Sequence, residues 1–163
     1  MKYIILIIML LPFAAAAQDC NLKKGTDAIT SKPTLSTGFI ELTLATLSID
    51  VNSKEIDFFF VSSMPAAKCL DENTEVSFMF EGGKLKSEFK NFGSMNCDGI
   101  FHVIFRNSVY GSSPLQKLGA KKILTIRLTG SGPKPIDINL KPEQQQTLMT
   151  LINCVIKESK TVL

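Results

Sequence analysis

Apolar and polar positions alternate most regularly in the last third of the chain. Leu124, Ile126 and Leu128 alternate with Ile123, Thr125 and Arg127, and Ile136, Ile138 and Leu140 alternate with Asp137 and Asn139. That period of two predicts a pair of half-buried strands around a Gly-Ser-Gly-Pro turn. Leu148, Leu151, Ile152, Val155 and Ile156 then recur at the i, i+3, i+4, i+7, i+8 spacing of one helical face. A helix and a sheet, each with one apolar face, bury each other. The predicted fold class is therefore α+β: a mostly antiparallel sheet of about seven to nine short strands with one C-terminal amphipathic helix packed on it.

Upstream, the same pattern places further strands from Gly38 onward. Ile40, Leu42 and Leu44 share one parity while Leu47, Ile49 and Val51 share the other, which predicts a bulge or bend at Ala45-Thr46. Phe58 to Val61 is continuously apolar, the pattern of a central strand covered on both faces and lying under the helix. Gly82-Gly83 predicts a tight hairpin with Glu81 opposite Lys84. That register turns Val76, Phe78, Phe80, Leu85 and Phe89 inward and Lys86 and Glu88 outward. The terminal hairpin sets Arg127 opposite Asp137 by the same logic. Ile100 to Arg106 reads as another strand, Pro114 to Leu118 as one helical turn, and Ser62–Thr74 and Asn91–Gly99 as connections.

The first 17 residues carry Lys2, an apolar run to Phe13 and the small residues Ala14 to Ala17, the plan of a cleaved export signal. The apolar run is too short for a bilayer span, so no integral membrane segment is expected once the signal is removed. Asp19 is a poor neighbour for lipidation at Cys20. The expected organisation is a signal peptide over 1–17, an irregular segment over 18–37 and a single β-rich domain over 38–163. With 18 basic and 15 acidic residues the chain is close to neutral, which argues against a nucleic-acid partner. Lys84, Lys86, Lys90 and the Lys121-Lys122 pair read as solvated faces and strand-edge protection.

Four cysteines, Cys20, Cys69, Cys97 and Cys154, suit two disulfides in an exported chain. Three connectivities are possible, and the expected one is Cys20–Cys154 with Cys69–Cys97. Cys154 falls off the apolar stripe of the helix, towards whatever covers its flank, and the N-terminal segment is the natural cover. Cys69 and Cys97 each precede a strand, 76–80 and 100–106, that would run the same way in one sheet.

Few residues suggest chemistry. His102 is the sole histidine and has no serine elbow or free thiol to serve, so it reads as a strand histidine with one hydrogen bond. Asp71, Asn73 and Glu75 have the spacing that opens a calcium loop but lack its later glycine and glutamate, so a polar turn is the better reading. No catalytic, cofactor-binding or metal-ligating residue is assigned, and no cofactor is expected. Gln18-Asp19-Cys20, Lys54 to Phe60, Lys122 to Thr129 and Pro142 to Gln146 together resemble small uncharacterised exported proteins of Bacteroidota, a likeness that covers most of the chain after the signal and implies no activity. The expected function is that of an exported (periplasmic or secreted), disulfide-stabilised, non-catalytic domain contacting an unknown protein or surface partner. The alternative is a carrier whose 11 phenylalanines line a cavity for a small apolar ligand.

Overall fold

A computed structural model describes residues 20–63, 69–83, 85–109, 111–130 and 134–163. The proposed signal peptide and Lys84 lie outside the described residues. The fold is α+β, as the periodicity predicts, but its strands form two antiparallel sheets. β1 (Lys23–Thr26), β2 (Pro33–Ser36), β3 (Ile40–Leu42), β4 (Ala45–Val51), β5 (Glu55–Ser62) and β8 (Ile100–Arg106) make a six-stranded sheet. Its order is β1-β2-β4-β5-β8, with β3 also paired to β4. β6 (Glu75–Phe80), β7 (Lys86–Lys90), β9 (Ile123–Thr129) and β10 (Ile136–Asn139) make the second sheet, ordered β10-β9-β6-β7. Helices α1 (Ser113–Ala120) and α2 (Pro142–Glu158) follow β8 and β10, and a 3-10 turn (Ser159–Val162) ends the chain.

The sheets face each other through phenylalanines. Phe58, Phe60, Phe78 and Phe101 are fully buried. Phe60 stacks on Phe101 across β5 and β8, with ring centres 4.5 Å apart, and tilts against Phe78 of the other sheet at 6.4 Å. Phe89 meets Phe105 edge-on at 5.1 Å. The rings occupy the space between the sheets and pack on one another as a buried aromatic cluster. β5 is indeed internal to its sheet, but what covers its buried side, Phe58 and Phe60, is the second sheet. Phe59 and Val61, on its other side, are only half-buried, which corrects the expectation of cover on both faces.

α2 runs from the β3–β4 turn to the far end of the six-stranded sheet. Gln144 accepts from the Thr43 hydroxyl (2.9 Å) and donates to the Glu41 carbonyl, while the Asn107 amide donates to the Ser159 carbonyl (3.1 Å). Leu148, Ile152 and Val155 join the core as expected, and Leu151 and Ile156 are half-buried. The helix packs on β9 and on α1. Gly119 permits the α1–α2 approach, since a Cβ there would stand 2.8 Å from Asn153 Oδ1 and 3.1 Å from Ile156 Cδ1. α1 is longer than the single turn expected, and Ser112 caps it by accepting from the Leu115 N–H.

Three local expectations are corrected. The bulge or bend expected at Ala45-Thr46 is a full two-residue turn just before it, at Thr43-Leu44: Leu42 pairs with Ala45, and Leu44 takes a φ of 62° to close it. A leucine in the left-handed region gives no turn signal in sequence. Within the N-terminal segment expected to be irregular, β1 and β2 form a hairpin whose loop is organised by Asp27 accepting from the N–H groups of Ile29 and Thr30. Leu85 pairs with Phe80 as expected but is 53% exposed, while Phe78, Phe80 and Phe89 pack as predicted. Val76 opposite Phe89, Ser77 opposite Glu88 and Arg127 opposite Asp137 all occur, the last as a two-pronged ion pair at 2.7 Å. Lys86 and Lys90 lie on the edge strand β7 and are exposed.

The structure joins Cys20 to Cys154 and Cys69 to Cys97. Cys20 brings the N-terminal segment onto the flank of α2. The second bond has a different basis from the one expected, because β6 and β8 lie in different sheets. Cys69 and Cys97 sit on the two chain crossings between the sheets, β5 to β6 and β7 to β8, which also meet at a Leu70–Asn96 bridge. On chain-entropy grounds, bonds closing separations of 134 and 28 residues contribute about 5 and about 3.6 kcal/mol respectively.

Candidate functional site

The open face of the six-stranded sheet is built by alternation on β4, β5 and β8. Wherever Phe58, Phe60, Phe101 and Val103 turn inward, their neighbours turn outward. The register aligns these outward residues in rows. Ser48, itself buried, and the half-buried Phe59 and His102 lie side by side; Thr46, Val61 and Ile100 flank them on one side; Asp50, Asp57 and Ile104 flank them on the other. Phe39, just before β3, lays its ring 6.2 Å from that of Phe59 and is 66% exposed. Phe59 in turn meets the His102 ring edge-on at 4.8 Å. Three aromatic rings thus run in file across the sheet.

His102 is held from several directions. Its Nδ1 lies 2.9 Å from Asp57 Oδ2 and 3.2 Å from Oδ1. Its backbone N–H donates to Asn91 Oδ1 at 2.9 Å, and its carbonyl accepts from the Phe92 N–H at 3.0 Å. The 91–96 connection therefore shields this part of the β8 edge. It carries two more exposed apolar side chains, Phe92 (74%) and Met95 (72%).

The lower row is acidic. Asp57 stands directly opposite Asp50 in the register, and Glu55 follows on the same face. Burial pushes the Asp57 carboxyl above its ordinary value; the His102 hydrogen bond and charge pull it back, and Asp50 and Glu55 add to the upward shift. Asp27, Asp50, Glu55 and Asp57 border a groove of about 260 Å³ lined by the β1–β2 hairpin, β4 and β5.

His102 with Asp57 supplies a base and a carboxylate that orients it. The hydroxyl on the same row, Ser48, donates instead to Asp50 at 2.8 Å. All four cysteines are consumed in disulfides. The face offers aromatic rings to apolar or cationic groups and carboxylates to cations.

The expected strand histidine is thus in place, with a carboxylate partner that the sequence did not identify. Asp57 and His102 are separated by a whole excursion into the other sheet, so nothing local signals their pairing. The outward parity of Asp57 and Phe59 on a strand with Phe58 and Phe60 inward was the available clue. Asp71 is occupied as a turn cap, accepting from the Asn73 N–H at 3.0 Å and the Thr74 hydroxyl at 3.1 Å, which suits the polar-turn reading. Among the described residues no helix is long and apolar enough to cross a membrane. The two disulfides suit an oxidising compartment. No protein-family model, curated protein or solved structure matches the chain.

Proposed function

We propose that the protein is an exported, non-catalytic binding domain that holds a protein partner on the open face of its six-stranded sheet. The partner's contribution is a basic segment with apolar residues beside it. One observation carries this reading: the file of an exposed Phe39 and half-buried Phe59 and His102 lies next to Asp50, Asp57 and Glu55. A lysine or arginine placed there gains a ring face and a carboxylate together, and apolar neighbours cover Phe39. The signal-like first 17 residues and the two disulfides support export. A non-catalytic role is supported by the bonding of Ser48 to Asp50 and the absence of a free thiol among the described residues, so neither the neighbouring hydroxyl nor a cysteine is paired with His102 as a side-chain nucleophile.

The reading is tested by NMR titration of the disulfide-bonded protein with short synthetic peptides. One set pairs Lys or Arg with Phe or Leu, and a matched set replaces the basic residues by Glu. The basic peptides are expected to shift the Phe59 and His102 amides saturably, with affinity that falls as salt rises. Phe39→Ser and Asp57→Asn should each weaken the binding. Equal binding of the acidic set, or shifts confined to other surfaces, would overturn the assignment.

A further inference from the structure

The second place where apolar surface is left open is the β6–β7 hairpin. Alternation assigns Leu85 to the inward set, yet it is 53% exposed. Beside it lies a cleft of about 250 Å³ between the hairpin and α1. Phe80, Leu85 and Ala120 supply its apolar lining, and Lys86, Lys117 and Lys121 border the same space. These residues are separate from those of the open sheet face.

The three lysines are not equivalent. Lys86 is paired with Glu88 on its own strand. Lys117 and Lys121 have no hydrogen-bond or ion-pair partner among the described residues. Lys117 lies in the last turn of α1 and Lys121 is its C-cap, in extended backbone, so both bring positive charge to the cleft and repel. The C-terminal dipole of α1 offsets part of that repulsion. An anion between them would remove the remainder.

We propose that this cleft binds a small amphiphilic carboxylate. The apolar chain lies on Phe80, Leu85 and Ala120, and the carboxylate accepts hydrogen bonds from the ammonium groups of Lys117 and Lys121. Ligand pockets combine this kind of apolar lining with a few polar groups that set orientation. The cleft is smaller than the ~300–1,000 Å³ of drug-sized sites, so it suits a single short acyl chain and not a two-chain lipid. A monomeric ligand is therefore the intended occupant, not a bilayer surface.

The test uses the disulfide-bonded protein and sodium decanoate below its micelle-forming concentration, followed by amide shifts in NMR. Decanoate should shift Leu85, Lys117 and Lys121 saturably, acetate should leave them unmoved, and decanol should bind about tenfold more weakly. The double variant Lys117→Gln/Lys121→Gln should weaken decanoate by about tenfold or more without changing decanol binding. Leu85→Asp, at an exposed position the fold does not need, should weaken both. The proposal is overturned if decanol matches decanoate, if neither variant alters binding, or if shifts map elsewhere. It is overturned equally if the protein ignores decanoate and binds phosphatidylglycerol vesicles.

Discussion

Phe59 and Phe60 are adjacent on β5 and point to opposite sides of the sheet, so truncating each in turn tests the two-sheet architecture directly. Phe60 is fully buried and stacked on Phe101. A phenylalanine buries ~150–250 Å², which at ~25 cal/mol per Å² is worth about 4–6 kcal/mol in transfer terms, part of which alanine retains. The site is closed by Phe78 and Phe101, so a cavity remains, and Phe60→Ala should cost about 4 kcal/mol, within the range of 3–5 for buried Phe→Ala changes. Phe59 is half-buried, and its ring contacts are edge-on, to Phe39 and His102. Water refills its place, so Phe59→Ala should cost about 1–2 kcal/mol. The chain has no tryptophan, so urea unfolding is best followed by far-ultraviolet circular dichroism with both disulfides intact. Midpoints should move while the denaturant dependence stays constant. If Phe59→Ala cost as much as Phe60→Ala, the outer face would have to be covered and the proposed partner surface would not exist.

Three other perturbations probe single features. Leu44 holds a φ of 62° at a position that is 50% exposed, so Leu44→Gly should stabilise by up to about 1 kcal/mol, the relief of left-handed strain less the entropy of an unfolded glycine; a lowered urea midpoint would count against the turn. At the start of α2, Gln144 already accepts from the Lys141 N–H, but a lysine ammonium cannot accept in return. Lys141→Asp or Lys141→Ser completes that reciprocal cap and should raise stability by about 0.5–2 kcal/mol in the same assay, and an unchanged midpoint would place the helix start elsewhere. Asp57 binds its proton more tightly in the fold than in the unfolded chain, so its contribution is full below the ordinary carboxylate value and is lost as pH rises through its folded pKa. The stability of Asp57→Asn relative to the parent should therefore rise with pH across that window, and urea midpoints showing the opposite trend would refute the burial argument.

What sequence could and could not show divides along a physical line. Registers inside a hairpin are local: Leu128 with Ile136, or Val76 with Phe89, follows from a short turn and from agreement between core and charge on two faces. Alternation also tells which residues turn inward, and Phe58, Phe60, Phe78 and Phe101 do so. It does not tell what they face. β8 follows β7 in the chain yet pairs with β5, so the single sheet that periodicity suggests is two sheets joined by crossings. Cys69–Cys97 shows the consequence, since the pairing expected from two like-directed strands of one sheet arises because both cysteines lie on the crossings between sheets. Leu44 and Leu85 escaped for a different reason: a left-handed leucine and an exposed leucine both run against the residue preferences from which sequence reading works. Asp57 with His102, the heart of the candidate site, required the β5–β8 register and so was out of reach.

Three departures from what stability alone would favour lie together on the open sheet face. A sheet face chosen only for folding would bury Phe39 or make it polar, and would not set Asp50 opposite Asp57, since like charges in register are unfavourable. Nor would it hold the Asp57 carboxyl half out of water against its own ionisation. Each cost is modest, but all fall within a few side chains of the Phe39–Phe59–His102 file. A cation brought to Asp57 and Asp50 relieves the charge costs, and the apolar part of the same partner relieves the exposure of Phe39. A single occupant of basic and apolar character would thus remove every local penalty at once, whereas an acidic partner would deepen two of the three and a purely apolar one would leave the opposed carboxylates buried beneath it without a counter-charge.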